Sequence, residues 1–312
     1  MPAYSVLSRP RRAIVFLLCL VLAACSSNPL RTSDESAAPL VVVVPAPVVV
    51  KPAAKPPRLG LALGGGAARG FAHIGVIQVL EEQGIKVDLV AGTSAGSLVA
   101  ALYASGKNGR EMATLAEAMD EGAITDWAFP TRGLIRGEAL ARYVRDKTGN
   151  KLIEQMAMPL GIVATDLSDG SAILFRSGDT GAAVRASSSV PAVFQPVKIG
   201  TREYVDGGLV APVPVRFARQ MGAELVIAVD ITSPPEEKPG SDAVRMLLQT
   251  FSIMGRSINN YELRDADVVL RPKLDTVGSA DFSARRRAIQ AGREAALAAL
   301  PLIRARISAK SH

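Results

Sequence analysis

Twice between Leu59 and Gly106 the chain passes from a short apolar run, through a glycine-containing turn, into an apolar helical stretch. Leu59 to Leu63 leads into Gly64-Gly65-Gly66-Ala67-Ala68-Arg69-Gly70, and Val87 to Ala91 leads into Gly92-Thr93-Ser94-Ala95-Gly96. Strand, tight turn and helix in this order call for crossovers that lay strands parallel, which restricts the chain to a layered α/β fold. The alternation continues with candidate strands at Gly161 to Thr165, Ala172 to Phe175, Glu203 to Val205, Leu225 to Val229 and Val268 to Leu270. Ile74, Ile77, Val79 and Leu80 line one side of a helix closed by Gly84, and Leu98, Ala101 and Leu102 line one that ends near Gly106. Further helices are expected from Gly137 to Lys147, Asp242 to Leu263 and Ser283 to Ile307. With 312 residues, 48% of them hydrophobic, the chain can bury one large core.

Residues 1–57 stand outside this pattern. Arg9, Arg11 and Arg12 precede the apolar run Ala13 to Ala24, which is too short to span a bilayer by itself and reads as a targeting segment. The run ends at Leu22-Ala23-Ala24-Cys25, which resembles the lipobox of bacterial lipoproteins. That resemblance implies removal of residues 1–24 and lipidation of Cys25; the other reading is an ordinary signal peptide with a chance cysteine. Ser26 after Cys25 resembles the signal for outer-membrane sorting, so the expectation is a lipid-anchored protein of a bacterial envelope. Ser26 to Pro57 is rich in Pro, Ala and Val and reads as an extended tether, about 30 residues reaching up to ~90 Å from the anchor. A valine run within it, such as Val41 to Val44, could alternatively add an edge strand. With Cys19 removed and Cys25 acylated, no thiol remains for a disulfide or a metal site. The net charge of +7 includes the three leader arginines; without them 33 basic residues face 29 acidic ones, and no nucleic-acid partner is implied.

Gly92-Thr93-Ser94-Ala95-Gly96, set between a strand and a helix, has the form of a nucleophile elbow, with Gly92 and Gly96 relieving crowding around the turn. The helix start beside Ser94 adds positive dipole and free N–H groups. A serine nucleophile usually needs an imidazole to take its proton, yet the chain has only His73 and His312. His312 is the sole histidine after Ser94 and closes a polar tail, 308–312, that is expected to fray. The activating base is therefore sought elsewhere. The Gly64–Gly70 loop has the composition to bind an anion, either a phosphate or the oxyanion of acyl transfer. It departs from the dinucleotide fingerprint, since Arg69 takes the third glycine's place, and from the P-loop, since Gly-Lys-Ser/Thr is missing; a purely structural turn is the other reading. Tyr204-Val205-Asp206-Gly207-Gly208 places a carboxylate at a strand end, where it fits either a turn or a base. As a base, Asp206 needs its pKa raised by burial or very close contact with Ser94.

These three elements in this order resemble the patatin-like phospholipase family, which combines a glycine-rich oxyanion loop with a basic residue, a G-x-S-x-G elbow and a late D-G-[GA] motif. The resemblance implies a Ser/Asp dyad with no histidine: Ser94 as nucleophile, Asp206 as base, and Gly64, Gly65, Gly66 and Ala67 as the oxyanion loop with Arg69 beside it. Gly207 and Gly208 complete the late motif. Val184 to Pro196, containing Ser187-Ser188-Ser189, looks like the family's segment before the aspartate, and Ala164-Thr165-Asp166-Leu167 like one of its strand ends. The likeness covers Leu59 to Arg219 closely and extends more loosely to about Ile307. It implies a three-layer α/β/α fold with a mainly parallel sheet, spanning 58–307. It also implies a phospholipase A or lysophospholipase type of acyl hydrolase that uses no cofactor and takes a membrane lipid or other acyl ester through an acyl-enzyme. Gly65 and Gly66 are the expected oxyanion donors. A soluble ester, a thioester or a lipoprotein acyl group remains open as substrate, as does a non-enzymatic lipid-binding or scaffold role.

Three features carry plainer expectations. His73 reads as a structural hydrogen-bonding residue, with the base as its rival role. Asp166 and Asp169 read as turn residues rather than metal ligands. Arg285-Arg286-Arg287 reads as a solvated face of the last helix, with membrane contact as the alternative.

Overall fold

The computed structural model of the protein describes residues 55–120, 122, 126, 133–232, 242–278 and 280–312. The leader, Cys25 and most of the tether lie outside them. The described residues form strands β1 (Leu59–Leu63), β2 (Leu89–Thr93), β3 (Gly133–Ile135), β4 (Leu160–Asp166), β5 (Ala172–Phe175), β6 (Ala192–Phe194), β7 (Val197–Ile199), β8 (Arg202–Asp206), β9 (Leu225–Val229) and β10 (Val268–Leu270). The helices are α1 (Phe71–Glu82), α2 (Ala95–Ala104), α3 (Gly109–Ala118), α4 (Glu138–Lys147), α5 (Thr180–Ser187), α6 (Val215–Gln220), α7 (Ala243–Glu262) and α8 (Arg285–Lys310).

The main sheet runs β10-β9-β1-β2-β4-β8-β7, with β5 also paired to β4, and β10, β9, β1, β2 and β4 are parallel. A small second sheet pairs β3 with β6. β1, β2, β4 and β9 are buried along their whole length, as strands covered on both faces must be. The two faces differ in side-chain size. Leu59, Leu61, Leu63, Leu225, Ile227 and Val229 point into the thicker layer with α1, α2 and α8, while Ala62, Ala91 and Ala228 face the short α6. Small residues on that side let α6 close on the sheet: a Cβ at Gly60 would come within 2.6 Å of Ala223 Cβ. The result is the expected α/β sandwich with a mainly parallel sheet. From β1 the chain winds outward through β2 to β4, then returns after β8 to β9 on the other side of β1. The loop leaving β1 therefore emerges at the point where the winding reverses, which is where open α/β sheets hold their ligands.

The expected strand at Val87 to Ala91 begins two residues later, at Leu89, because Asp88 instead accepts the Leu59 N–H through its side chain. β3, β6, β7, α3, α5 and α6 are short elements that periodicity did not mark. The fraying expected of the last residues is overturned. α8 continues to Lys310, and His312 and Lys55 exchange backbone hydrogen bonds of 2.7 and 3.1 Å. Of the three arginines that open α8, Arg286 and Arg287 are exposed, as a solvated face requires, whereas Arg285 is half-buried. Arg285 donates to the carbonyls of Ala116 and Met119 at the end of α3, at 2.7 and 3.0 Å. Arg286 pairs with Glu117 and Arg287 with Asp281.

α1 and α8 meet through two glycines. A Cβ at Gly75 would lie 1.9 Å from the Ile289 carbonyl oxygen, and one at Gly292 would lie 1.9 Å from that of Ala72. No rotamer relieves a clash with backbone, so the helices would have to separate. Gly292→Ala is expected to destabilise the protein by about 2–3 kcal/mol, a fall of roughly 5 °C or more in the thermal midpoint. Differential scanning calorimetry of the variant beside Ala291→Gly checks this.

Candidate active site

Residues 112 positions apart meet here because two strands approach one another head-on along the same edge of β4. β2 runs parallel to β4 and ends with Thr93 opposite Val163. β8 runs antiparallel and ends with Asp206 opposite Ala164, the next residue along. The other edge of β4 is taken by β5, so β2 and β8 share one lane and their ends abut. Ser94 follows Thr93, and its Oγ donates to Asp206 Oδ2 at 2.7 Å.

Ser94 adopts φ 52° and ψ −125°, a conformation that side chains avoid, at the start of α2. Packing leaves it no alternative. A Cβ at Gly92 would come within 2.4 Å of the Gly96 carbonyl oxygen, and one at Gly96 within 2.2 Å of that of Leu63. The elbow is therefore pressed onto the end of β1. Its backbone is held from the far side by Ser187, a fully buried residue at the end of α5. Ser187 Oγ accepts the Ser94 N–H at 2.8 Å and donates to the Val163 carbonyl at 2.5 Å. Two residues on, the Ser189 carbonyl accepts the Asp206 N–H at 3.0 Å. One short segment thus braces both halves of the pair.

Asp206 is 6% exposed. Burial pushes its carboxyl up to about 6, against the lowering effect of the bonds from the Ser94 hydroxyl and the Gly208 N–H, the latter 2.6 Å from Oδ1. The Thr165 hydroxyl holds the Asp206 carbonyl at 2.8 Å, and Gly207 is forced by the Val163 carbonyl, 2.2 Å from where a Cβ would sit.

The glycine loop lies against the nucleophile: a Cβ at Gly65 would stand 3.1 Å from Ser94 Cβ. The Gly64 N–H donates to the Val229 carbonyl at 3.1 Å and the Gly65 N–H to that of Pro212 at 2.9 Å. This corrects the expectation for Gly65, whose donor is spent on holding the loop. Among the described residues, no acceptor takes the N–H of Gly66 or Ala67. Arg69 is half-buried after the loop, its N–H bonded to the Gly66 carbonyl at 3.1 Å. Burial lowers its pKa, and the Asp230 carboxylate partly offsets this.

His73 is completely buried, and its Nε2 lies 2.8 Å from the Gly64 carbonyl oxygen. A carbonyl only accepts, so Nε2 carries the proton and the ring serves the loop rather than Ser94. Desolvation brings its pKa down to about 4, which keeps it neutral near neutral pH. His312 pairs with Lys55, just before the amino end of β1, away from the carboxyl ends where Ser94 sits. Asp166 is a turn residue held at about 2 by the Ser168 hydroxyl and Arg202, and Asp169 lies beside the same arginine.

Residues 61–219 match the model of the patatin-like phospholipase family. The chain belongs to that family. An uncharacterized NTE family protein of Mycobacterium tuberculosis is 38% identical to this patatin-like protein over 204 residues, 64% of this chain and 56% of that one. Patatin-like phospholipase domain-containing protein 6 of Mus musculus is 36% identical over 188 residues, 57% of this chain and 14% of its own length. The chain thus spans about half the length of its mycobacterial relative and much less of the mouse protein. The crystal structure of VipD from Legionella pneumophila shares the fold, with a TM-score of 0.52 at 15% identity over 80% of this chain and 67% of that one.

Sequence reasoning quoted Ser187 only within a family block and gave it no role. The signal that could have found it is a small polar residue on the buried side of an otherwise apolar turn. Ser187→Ala would strand the Ser94 N–H, a buried donor whose lost bond costs ~1–3 kcal/mol. The expected result is a lower thermal midpoint together with slower modification of Ser94 by a fluorophosphonate.

Asp206 makes the stability of the fold depend on pH. Its folded pKa lies above the ordinary carboxylate value, so protonation favours the native state: the stabilising contribution is complete below about pH 4 and is lost as pH rises through about 6. At pH 8 the ionised form costs roughly 3 kcal/mol relative to the neutral one. Asp206→Asn should therefore unfold at a higher temperature than wild type at pH 8, and the difference should vanish towards pH 4.

Proposed function

We propose that the protein is a serine acyl hydrolase of lipid esters that works through a Ser94/Asp206 pair. The observation that carries this reading is the 2.7 Å hydrogen bond from Ser94 Oγ to a buried carboxylate, made by a serine in a positive-φ turn. Family membership supports the reaction class, and the names of the relatives support a lipid substrate.

Asp206 takes the Ser94 proton as Oγ forms a bond to the ester carbonyl carbon. The negative charge that develops on the carbonyl oxygen is met by the N–H groups of Gly66 and Ala67, with the positive end of α2 close by. Collapse of the tetrahedral adduct breaks the ester C–O bond, and the proton on Asp206 passes to the leaving alkoxide. Water then gives a proton to Asp206 as it attacks the acyl-enzyme carbonyl, the acyl–Oγ bond breaks, and Asp206 returns the proton to Ser94 Oγ as the fatty acid leaves. A carboxylate at its ordinary pKa is a weak base, so the rise to about 6 adds basicity at the atom that needs it. His73 enters none of these steps, since its Nε2–H is donated to the Gly64 carbonyl. The leader supports a lipid anchor at Cys25 in a bacterial envelope as the setting, placing the domain near its substrate.

The test is fluorophosphonate labelling and fatty-acid release from phospholipid vesicles. Ser94→Ala should abolish labelling, and Asp206→Asn should lower kcat/KM by about a thousandfold or more. Wild-type kcat/KM should climb with pH through about 6 and then level off, because only the ionised Asp206 accepts a proton. Folded wild type that neither labels nor cleaves any ester would overturn the reading, and an activity profile favouring short over long acyl chains would move the substrate away from lipids.

A further inference from the structure

α7 presents its sides the wrong way round for an ordinary surface helix. Its three buried residues are Gly255, Asn259 and Glu262. Asn259 Oδ1 accepts the Val213 N–H at 3.2 Å, and Glu262 is ion-paired with Arg216. The opposite side carries Met246, Ile253, Met254 and Tyr261, exposed by 62%, 51%, 47% and 69%. Spacings of seven and eight residues put these four on one face, since two turns of helix take about seven residues. Among the described residues, ten large hydrophobic side chains stand well exposed, and five of them, counting Val244, belong to this helix. No residue of α7 before Gly255 is buried. An apolar face of this size turned to water marks a contact with something else.

The helix stands beside the site. Gly255 packs on Pro212, whose carbonyl holds the Gly65 N–H, and Gly65 lies against Ser94. α7 follows β9 in the chain and leads through Leu263–Asp265 into β10. Its exposed charges are cationic on balance. Arg245 and Arg256 on the helix and Arg264 just past its end are open to solvent, against the exposed carboxylates Asp242, 3.3 Å from Arg245, and Asp265, while Glu262 is buried, so cations exceed anions by one. The Arg264 guanidinium lies over the Tyr261 ring at 5.0 Å, presenting a cation and an aromatic face together.

We propose that the outward face of α7 is the surface through which this protein docks on an anionic phospholipid layer, bringing the Ser94 site to its substrate. The proposal rests on the lipid-ester reading above. A second copy of the chain would bring the same excess of arginines against itself, whereas anionic headgroups neutralise that excess as the apolar side chains enter the acyl boundary. Among the described residues no helix is long and apolar enough to cross a membrane, so α7 lies along the surface.

The experiment uses the full chain carrying Cys25→Ser, which removes any acyl anchor, and follows sedimentation with vesicles of phosphatidylcholine alone or mixed with phosphatidylglycerol. Met246→Gln/Ile253→Gln/Met254→Gln should weaken vesicle binding by at least about tenfold and leave fluorophosphonate labelling of Ser94 at the wild-type rate. Arg256→Glu should remove the preference for phosphatidylglycerol without altering labelling. Unchanged vesicle binding by the labelled triple variant would overturn the proposal, as would a wild-type dimer that the triple variant dissolves with no change in vesicle binding. Failure of the hydrolase reading looks different: wild type would bind vesicles through α7, lose that binding in the triple variant, and label and cleave nothing.

Discussion

The Asp206 carboxylate is removed from water, and the surrounding structure is arranged around that fact. A buried anion must be hydrogen-bonded or neutralised. Here Oδ2 takes the Ser94 hydroxyl and Oδ1 the Gly208 N–H, yet the pair of bonds does not fully offset the lost hydration, so the carboxyl sits at about 6. In the proposed mechanism that residual cost makes the group a usable base. A fully satisfied carboxylate would behave like Asp166, held at about 2 by Ser168 and Arg202 and inert. Two aspartates at the ends of neighbouring strands thus differ because burial dominates at Asp206, while the Ser168 hydroxyl and the Arg202 guanidinium outweigh it at Asp166.

Strain at the nucleophile and burial at the base are both met from outside the motifs. The end of α5 supplies Ser187 to the Ser94 N–H, and the turn after it supplies the Ser189 carbonyl to the Asp206 N–H. Pro212 and His73 fix the glycine loop through Gly65 and Gly64, leaving the Gly66 and Ala67 donors for a ligand. Pro212 in turn rests on α7. If α7 meets a lipid layer, the same contacts that hold the oxyanion loop also fix its height above that layer.

Much of this was legible in the chain. Leu59 to Leu63, Ala172 to Phe175, Leu225 to Val229 and Val268 to Leu270 form strands with the limits expected of them, because continuous apolar runs bounded by turn residues have few other uses. The short elements were not. α5 and α6, of eight and six residues, carry too few turns for a periodic signal and exist because the sheet needs a bracket and a cover at those places. The start of β2 was misplaced because Asp88 bonds back to Leu59, a contact between distant residues. Gly65 was misassigned as an oxyanion donor for a similar reason: Pro212, far along the chain, already holds its N–H.

The sequence by itself determined the layered α/β class, the elbow at Ser94, the glycine loop and the late Asp-Gly-Gly. Each is a local matter of periodicity and of where glycine is required. The scarcity of histidine left His73 and Asp206 as the candidates for a base beside Ser94. Only the tertiary structure brings Asp206 within hydrogen-bonding distance of Ser94, since this depends on β2 and β8 ending at successive residues of β4, a register that no local pattern encodes. It likewise decided that His73 serves the loop, and that α7 turns Asn259 and Glu262 inward and its methionines outward. Burial and register are properties of the assembled sheet, and they exist only once distant segments are packed together.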